Sequence, residues 1–378
     1  MTDRATAATD GREAQRRAFL AQAGFGAAVR TKMSGDASTR SYERLALPGG
    51  GTRILMDAPP AAESEPAGPD TTQDQRRAMG YNALARLAAG RVDAFAAAAA
   101  FLRDRGLSAP QVEALDVGQG FAVIEDLGDD LFARKIEGGE PAGPLYADAV
   151  DVLVRLQSEP PPVWLDWESG QDRGRWPLLP YDDLALQTGC DLFLEWWPKY
   201  AGLPAFSAEA VAEWRALWAP IRALGHRAAM GPEGVFTHRD YHAENLLWLP
   251  QRSGLARVGL LDFQDAVKAH PAWDLLHLLQ DARRDVAPDL AAAMLDRYLD
   301  QRPGIDREEF RHAYHGLAAL NAARILFIFA RQVAGFGKPR YRDFIPRTWA
   351  ALEFNLAQPG LEALQAWFAR HVPPEARA

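Results

Sequence analysis

The residues able to do chemistry lie between positions 238 and 262. The run HRDYHAEN, residues 238–245, sets Asp240 five places before Asn245, and a later apolar run, VGLL, delivers Asp262. Two carboxylates and an amide oxygen are hard donors. A Mg²⁺ ion is typically held by one or two such protein oxygens, with phosphates and water completing its shell. Asn245 and Asp262 supply that pair, which leaves Asp240 to orient an attacking hydroxyl and accept its proton. Phosphoryl transfer asks for this division, because the reaction needs positioning and charge neutralisation more than covalent help.

These side chains need elements that hold them at one rim. Short apolar runs end at Thr237, span LLWL (246–249) and span VGLL (258–261), with a polar loop and a turn between them. The pattern predicts strand, loop, strand, hairpin turn, strand, with the acidic groups at strand ends. Two plainer readings stay open. His238, Asp240, His242 and Glu244 form a solvated turn while Asp262 caps a helix, or the same four bind zinc. Their spacing matches no standard zinc pattern, and Cys190 is the only cysteine.

The bulk properties narrow the class. A chain of 378 residues is long enough for two cored lobes. A formal charge of -8, from 42 basic against 50 acidic residues, argues against a general nucleic-acid binder, which needs a basic face. One cysteine allows no intrachain disulfide. The opening MTDRATAATDGREAQRR lacks an apolar core of signal-peptide length, and no stretch of about 18 uncharged apolar residues occurs. The expectation is a soluble cytoplasmic enzyme with no nucleic acid, no membrane and no obligate protein partner.

Along the chain, residues 1–12 are expected to fray and residues 12–27 to form a short helix with Phe19, Leu20 and Phe25 inward. A hairpin follows: Tyr42, Leu45 and Leu47 lie on one strand and residues 54–56 on its partner, about a turn at 49–51. Residues 70–106 predict two helices, and residues 111–127 two strands about 118–120. Helices are expected at 131–137 and 145–157, then a loop over 160–180 with Trp164, Trp167 and Trp176. An amphipathic helix over 181–200, ended near Pro198, and another over 208–230 lead into the central unit. Beyond Asp262 the chain reads as helices at 272–279, 289–299, 308–333, 344–356 and 361–368.

H-R-D-x-x-x-x-N followed by an Asp at a strand end is similar to the catalytic segment of kinases. LDFQD followed by HPAWDLLHLL resembles the aminoglycoside and choline phosphotransferase superfamily. More narrowly, D-A-S-x-R-x-Y (36–42), M-D-A-P-P (56–60) and L-x-D-F-Q-D-A (260–266) resemble the anomeric sugar kinases of bacterial cell-wall recycling, over about 230 residues. That resemblance implies an α+β, two-lobed protein-kinase-like fold: a small β-rich nucleotide-binding N-lobe over 1–127 and a large helical catalytic and sugar-binding C-lobe over 128–378. It implies ATP and Mg²⁺, and phosphorylation of N-acetylmuramic acid and N-acetylglucosamine at the anomeric hydroxyl.

By the same resemblance the turn SGDASTR (34–40) covers the nucleotide phosphates, with Ser38 and Arg40 as contacts, and backbone from Glu125 to Leu127 holds an adenine edge. The helices before the catalytic loop build the acceptor pocket, where Asp191, Glu195, Trp196 and Trp197 are the first candidates. His242, Gln264 and Asp265 are acceptor contacts nearer the metal, and Asp274 braces the loop. One departure stands out. The strand TRILMD has no phosphate-binding lysine; of five lysines only Lys32 precedes Lys135. The phosphate cation is then Arg40, whose planar fork suits phosphate, or Arg53 or Lys32, or Mg²⁺ alone takes its place. Kinases of aminoglycosides, choline or homoserine remain open, because residues 181–200 carry both acidic and aromatic groups. So does a nucleotide-binding pseudokinase.

Overall fold

A computed structural model describes residues 2–33, 39–60 and 63–377, with side chains from residue 11 onward. Five antiparallel strands come first: β1 (Val29–Lys32), β2 (Ser41–Ala46), β3 (Thr52–Asp57), β4 (Val112–Asp116) and β5 (Phe121–Glu125), in the order β1-β2-β3-β5-β4. Alternating side chains give the sheet two apolar faces. Leu45, Leu55, Phe121 and Val123 are closed over by Phe19 and Leu20 of helix α1 (Thr2–Gln22), whereas Ile54, Met56, Ala122 and Ile124 face the main core. Arg12 and Arg16 of α1 both reach the buried Asp57 carboxylate, at 2.5 Å. The backbone is helical from Thr2, where fraying was expected, and stops at Gln22 rather than residue 27; Gly24 follows with φ +85°.

Between β3 and β4 lie three helices rather than two: α2 (Gln73–Met79), α3 (Tyr81–Ala85) and α4 (Val92–Asp104). Gly80 and Arg86, with φ +99° and +60°, break the path. α4 is apolar on every side, so burial is its stable place. It lies against β4 and the later strands, and its rings reach the second lobe. Phe95 stacks on Phe263 at 4.8 Å and Phe101 on Phe236 at 4.7 Å.

The helical lobe opens with α5 (Phe132–Glu137) and α6 (Ala142–Leu156). Residues 160–180, expected as a loop, contain a hairpin of β6 (Trp164–Ser169) and β7 (Asp172–Pro177). Leu165 and Trp167 alternate inward while Asp166 and Glu168 point out. Flanking prolines and Gly174, where a Cβ would lie 2.6 Å from the Trp167 ring, masked that alternation. Helices α7 (Asp183–Ala201) and α8 (Ala208–Met230) follow; Pro198 sits in the last turn of α7, which ends at Gly202 with φ +68°.

Four short strands then build the centre: β8 (Val235–Thr237), β9 (Leu246–Trp248), β10 (Val258–Leu260) and β11 (Val267–Ala269). β9 and β10 pair as the expected hairpin, and β11, which was not expected, pairs with β8 and places Val267 opposite Thr237. The remainder is α9 (Ala272–Leu279), α10 (Pro288–Asp300), α11 (Arg307–Ala334), α12 (Ile345–Leu356) and α13 (Glu362–His371). Among the described residues α11 alone is long and apolar enough to cross a membrane, with hydropathy 1.4 over its most apolar window, yet 67% of that window is buried inside the protein. It is the core helix, packed on α7, α8, α9 and α12.

The Phe95–Phe263 stack ties α4 to the residue after Asp262. Phe95→Ala removes a ring that is 4% exposed and should cost about 3–5 kcal/mol of unfolding free energy, read from the guanidinium midpoint. A loss below about 1 kcal/mol would mean that the two lobes are not held together at this ring.

Candidate functional site

The loop from His238 to Asn245 is fixed by backbone bonds that its own sequence cannot make. Asp274, in the first turn of α9, is fully buried, and its two oxygens accept the His238 N–H at 2.7 Å and the Arg239 N–H at 2.8 Å. Arg239 has φ +82° and donates to the Arg86 carbonyl at 3.1 Å, tying the loop to the helices after β3. The Tyr241 hydroxyl donates to the Ala149 carbonyl at 2.8 Å. Burial pushes the Asp274 carboxyl up to about 7, against the two N–H groups that pull it down.

Asp240 follows this clamp, and its carboxylate accepts no hydrogen bond from the described residues. Its surroundings set its charge. Burial favours the acid form, but the positive charges of Arg324 and Arg239 help hold the group well below the ordinary carboxylate range. His277 is neutral, its pKa pushed down to about 3 mainly by burial, and burial together with Arg283 drives His242 down as well. Arg283 Nη1 lies 2.9 Å from His242 Nε2. A guanidinium only donates, so Nε2 accepts and the ring proton sits on Nδ1.

Asn245 lies beside Asp240. Its Nδ2 donates to the Asp240 carbonyl at 2.9 Å, and its own carbonyl accepts the Leu261 N–H at 3.0 Å. The amide nitrogen is thus committed and Oδ1 is left for other work. Asp262 has φ +61°, a backbone state rare for a residue with a side chain. Its Oδ1 accepts from Arg40 Nη2 and from Gln264 Nε2, both at 2.9 Å. Asp262 Oδ2 and Asn245 Oδ1 accept nothing among the described residues. Two uncommitted hard oxygens on adjoining strand ends fit a magnesium ion with its phosphates. No three His, Cys, Asp or Glu side chains among the described residues converge as a metal cluster, which leaves the zinc reading without ligands.

The other expected residues divide. Arg40 meets Asp262, and Ser38 lies outside the described residues. Glu125 ends β5 with its carboxylate bound to Arg252 and Arg103, and the half-buried Leu127 keeps a backbone N–H that bonds to no described residue. Gln264 is buried and orients Asp262, with its Oε1 unpartnered. Asp265 lies beside them and accepts the Ala88 N–H at 2.6 Å. Glu195 is not brought to the loop: it is half exposed, pairs with Lys199 at 2.7 Å and lies in a shallow depression with Asp191 and Arg215. Trp197 is a core residue, fully buried and stacked on Phe193 at 5.5 Å, and Trp196 lies half-buried under Lys199. Helical spacing alone could not tell a sugar platform from core.

Comparison with known proteins agrees with this geometry. The profile of the phosphotransferase enzyme family matches residues 29–313. The chain belongs to that family. The phosphotransferase is 57% identical to an N-acetylmuramate/N-acetylglucosamine kinase of Caulobacter vibrioides over 366 residues, 97% of this chain and 98% of that one. It is 28% identical to the protein of the same name in Pseudomonas putida, over 85% and 81% of the two chains. A choline/ethanolamine kinase family protein of Mesorhizobium loti has the same fold at 16% identity, with TM-score 0.55 and coverage of 95% and 98%. An ethanolamine kinase of Plasmodium vivax matches with TM-score 0.50 at 11% identity, over 88% and 84%.

Beside Asp240 the phosphotransferase has a chamber of about 80 Å³, whose walls include His242, His277, Asp281, Asn321 and Arg324. Gln280, Asp281, Ala282, Asn321 and Ile325 also line a larger apolar cavity of about 500 Å³ between α9 and α12. Of these wall residues only His242 was expected. Arg324 carried a signal in the sequence, as the one charged residue in the apolar stretch GLAALNAARILFIFA (316–330). Asp281 is buried with Oδ2 unpartnered, and burial pushes its carboxyl up to about 6.

The Asp274 clamp generates a pH prediction. In the folded protein the group keeps its proton up to about 7, whereas the unfolded chain releases it near the ordinary carboxyl value. The stability it contributes is therefore full below about pH 4 and falls as pH rises toward 7. Asp274→Asn, which turns an N–H₂ toward one backbone N–H, should cost about 1–3 kcal/mol at pH 5. The gap to the unaltered protein should narrow by pH 7.5 in urea unfolding. A gap that widens with pH would reverse the assignment.

Proposed function

We propose that this chain is an ATP-dependent kinase that phosphorylates the anomeric hydroxyl of N-acetylmuramic acid and N-acetylglucosamine, in the cytoplasm, for peptidoglycan recycling. Its likeness to the Caulobacter kinase, 57% identical over 97% of the chain, carries the reading. We place the boundary between a nucleotide-binding lobe and a catalytic lobe after Leu127, where the chain leaves the five-stranded sheet.

In this reading Asp240 is the catalytic residue. Nearby guanidinium groups keep it ionised, and its carboxylate accepts no hydrogen bond among the described residues, so it can take the sugar hydroxyl as a hydrogen-bond donor and accept the proton. Asn245 and Asp262 would hold Mg²⁺, which with ATP supplies the phosphoryl group and neutralises its charge. Gln264 and Arg40 fix the Asp262 carboxylate through Oδ1 and leave Oδ2 toward the metal. The N–H of Leu127 is the free donor for the adenine edge, and the side chain of Glu125 stays in its own ion pairs. Neutral His242 and the chamber beyond Asp240 bound the acceptor.

The test is to incubate the protein with Mg-ATP and, separately, N-acetylmuramic acid, N-acetylglucosamine, choline and kanamycin, and to locate phosphate in any product by ³¹P NMR. Phosphorus coupled to the anomeric proton is expected, and EDTA should abolish product. Asp240→Ala should lower kcat roughly a thousandfold while ATP binding changes little. Phosphate on another ring position, or on choline or kanamycin alone, overturns the assignment.

A further inference from the structure

Arg324 is a buried cation of the helical core that lines the chamber beside Asp240. Three other buried arginines are paired, Arg76 and Arg86 with Asp182 and Arg222 with Asp183, while the buried Arg239 is held by the Arg86 carbonyl and the Tyr181 ring. Arg324, 8% exposed in the middle of α11, donates to Asn321 Oδ1 at 3.1 Å and has no ion pair among the described residues. The fold makes room for it. At Gly189 of α7 a Cβ would stand 3.2 Å from Arg324 Cδ, so the neighbouring helix carries no side chain there. A buried, unpaired guanidinium costs stability unless an anion meets it, and the chamber wall is where such an anion can arrive.

Two anions of the proposed reaction come near Asp240: the phosphoryl group in transfer and a carboxylate on the acceptor. The groups that face the phosphates, Arg40, Asn245, Asp262 and Gln264, do not line this chamber. The chamber instead shares its far wall with the apolar cavity. It therefore lies on the acceptor's side.

We propose that Arg324 is the specificity-determining residue that binds the carboxylate of an acidic acceptor, and so distinguishes N-acetylmuramate, with its lactyl ether, from N-acetylglucosamine, which lacks one. This rests on the kinase reading above. A carboxylate beside Asp240 would otherwise face a like charge. One guanidinium between them offsets both, and Arg324 is also the foremost positive influence that keeps Asp240 ionised. Its fork suits two carboxylate oxygens, which a lysine could not match.

The experiment compares kcat/KM for the two sugars, and their ATP-free binding by calorimetry, in the unaltered protein, Arg324→Met and Arg324→Lys. Because Arg324 also tunes Asp240, turnover of both sugars should fall in Arg324→Met. The ratio of kcat/KM favouring N-acetylmuramate should fall about a hundredfold, with KM for that sugar rising, and Arg324→Lys should recover about a tenth of it. An unchanged ratio, with both sugars weakened alike, overturns the proposal and assigns the guanidinium to the phosphoryl group or to Asp240. If Arg324→Met does not fold, as judged by thermal melting, the ratio in Arg324→Lys decides. If the unaltered protein turns over neither sugar, the kinase reading fails, and the ratio of binding constants still judges Arg324.

Discussion

The site depends on two hydrogen bonds that a single buried carboxylate accepts. Asp274 takes the amides of His238 and Arg239 one on each oxygen, and no other group nearby could satisfy both. Without them two backbone donors would be stranded in the core, and the left-handed turn at Arg239 would have nothing to compensate its strain. Held there, the loop must present Asp240 next, fold Asn245 back onto the Asp240 carbonyl and hand its own chain direction to β9. The backbone that carries the three proposed site residues is thus held by a fourth.

Charge in this region is arranged by burial as much as by pairing. The histidines that surround Asp240 are neutral because charging them in the core is costly, so the local positive field comes from arginines alone. Arginine stays charged whatever its surroundings, whereas a buried lysine would shed its proton. A carboxylate placed in such a field remains a base over the whole neutral range. Burial raises the Asp281 carboxyl as it does that of Asp240, but Arg283 and Arg284 do not offset it, and Oδ2 is unpartnered. Two acidic residues of one wall therefore differ in ionisation through neighbours, not through exposure.

The sequence disclosed what local pattern determines and little of what tertiary contact decides. The helices 208–230 and 272–279 match α8 and α9 at both ends: Ser207 caps α8, and α9 is a short run of buried residues opened by Pro271. The pairing of β8 with β11 was invisible, since each strand has three residues and is defined only by its partner. Asp240 and Asn245 were legible because one short loop fixes their spacing, and Asp262 because the β9–β10 hairpin returns the chain to that loop. The wall of the chamber beside Asp240 was not: His277, Asn321 and Arg324 come from helices far apart in the chain and meet only when α9 packs on α11. Glu195 and Trp197 look, in sequence, as functional as any of them. One turned out to lie at the surface and the other in the core, and residue type could not have separated these fates.

The missing strand lysine has a structural counterpart. On β3, Ile54 and Met56 are the side chains directed to the main core, toward the second lobe, and Met56 is 1% exposed where a charged group would need water or a partner. A cation is supplied instead from the turn that precedes β2. Arg40 reaches Asp262 at 2.9 Å across 222 residues of sequence, so one of the links between the lobes passes through the proposed metal-binding carboxylate itself. A lysine on a strand is held by the sheet. Arg40 lies ahead of β2 instead, and its displacement from Asp262 would remove one contact of the first lobe with the second. In this chain nucleotide binding and lobe contact are therefore expected to be one event, because the same guanidinium takes part in both.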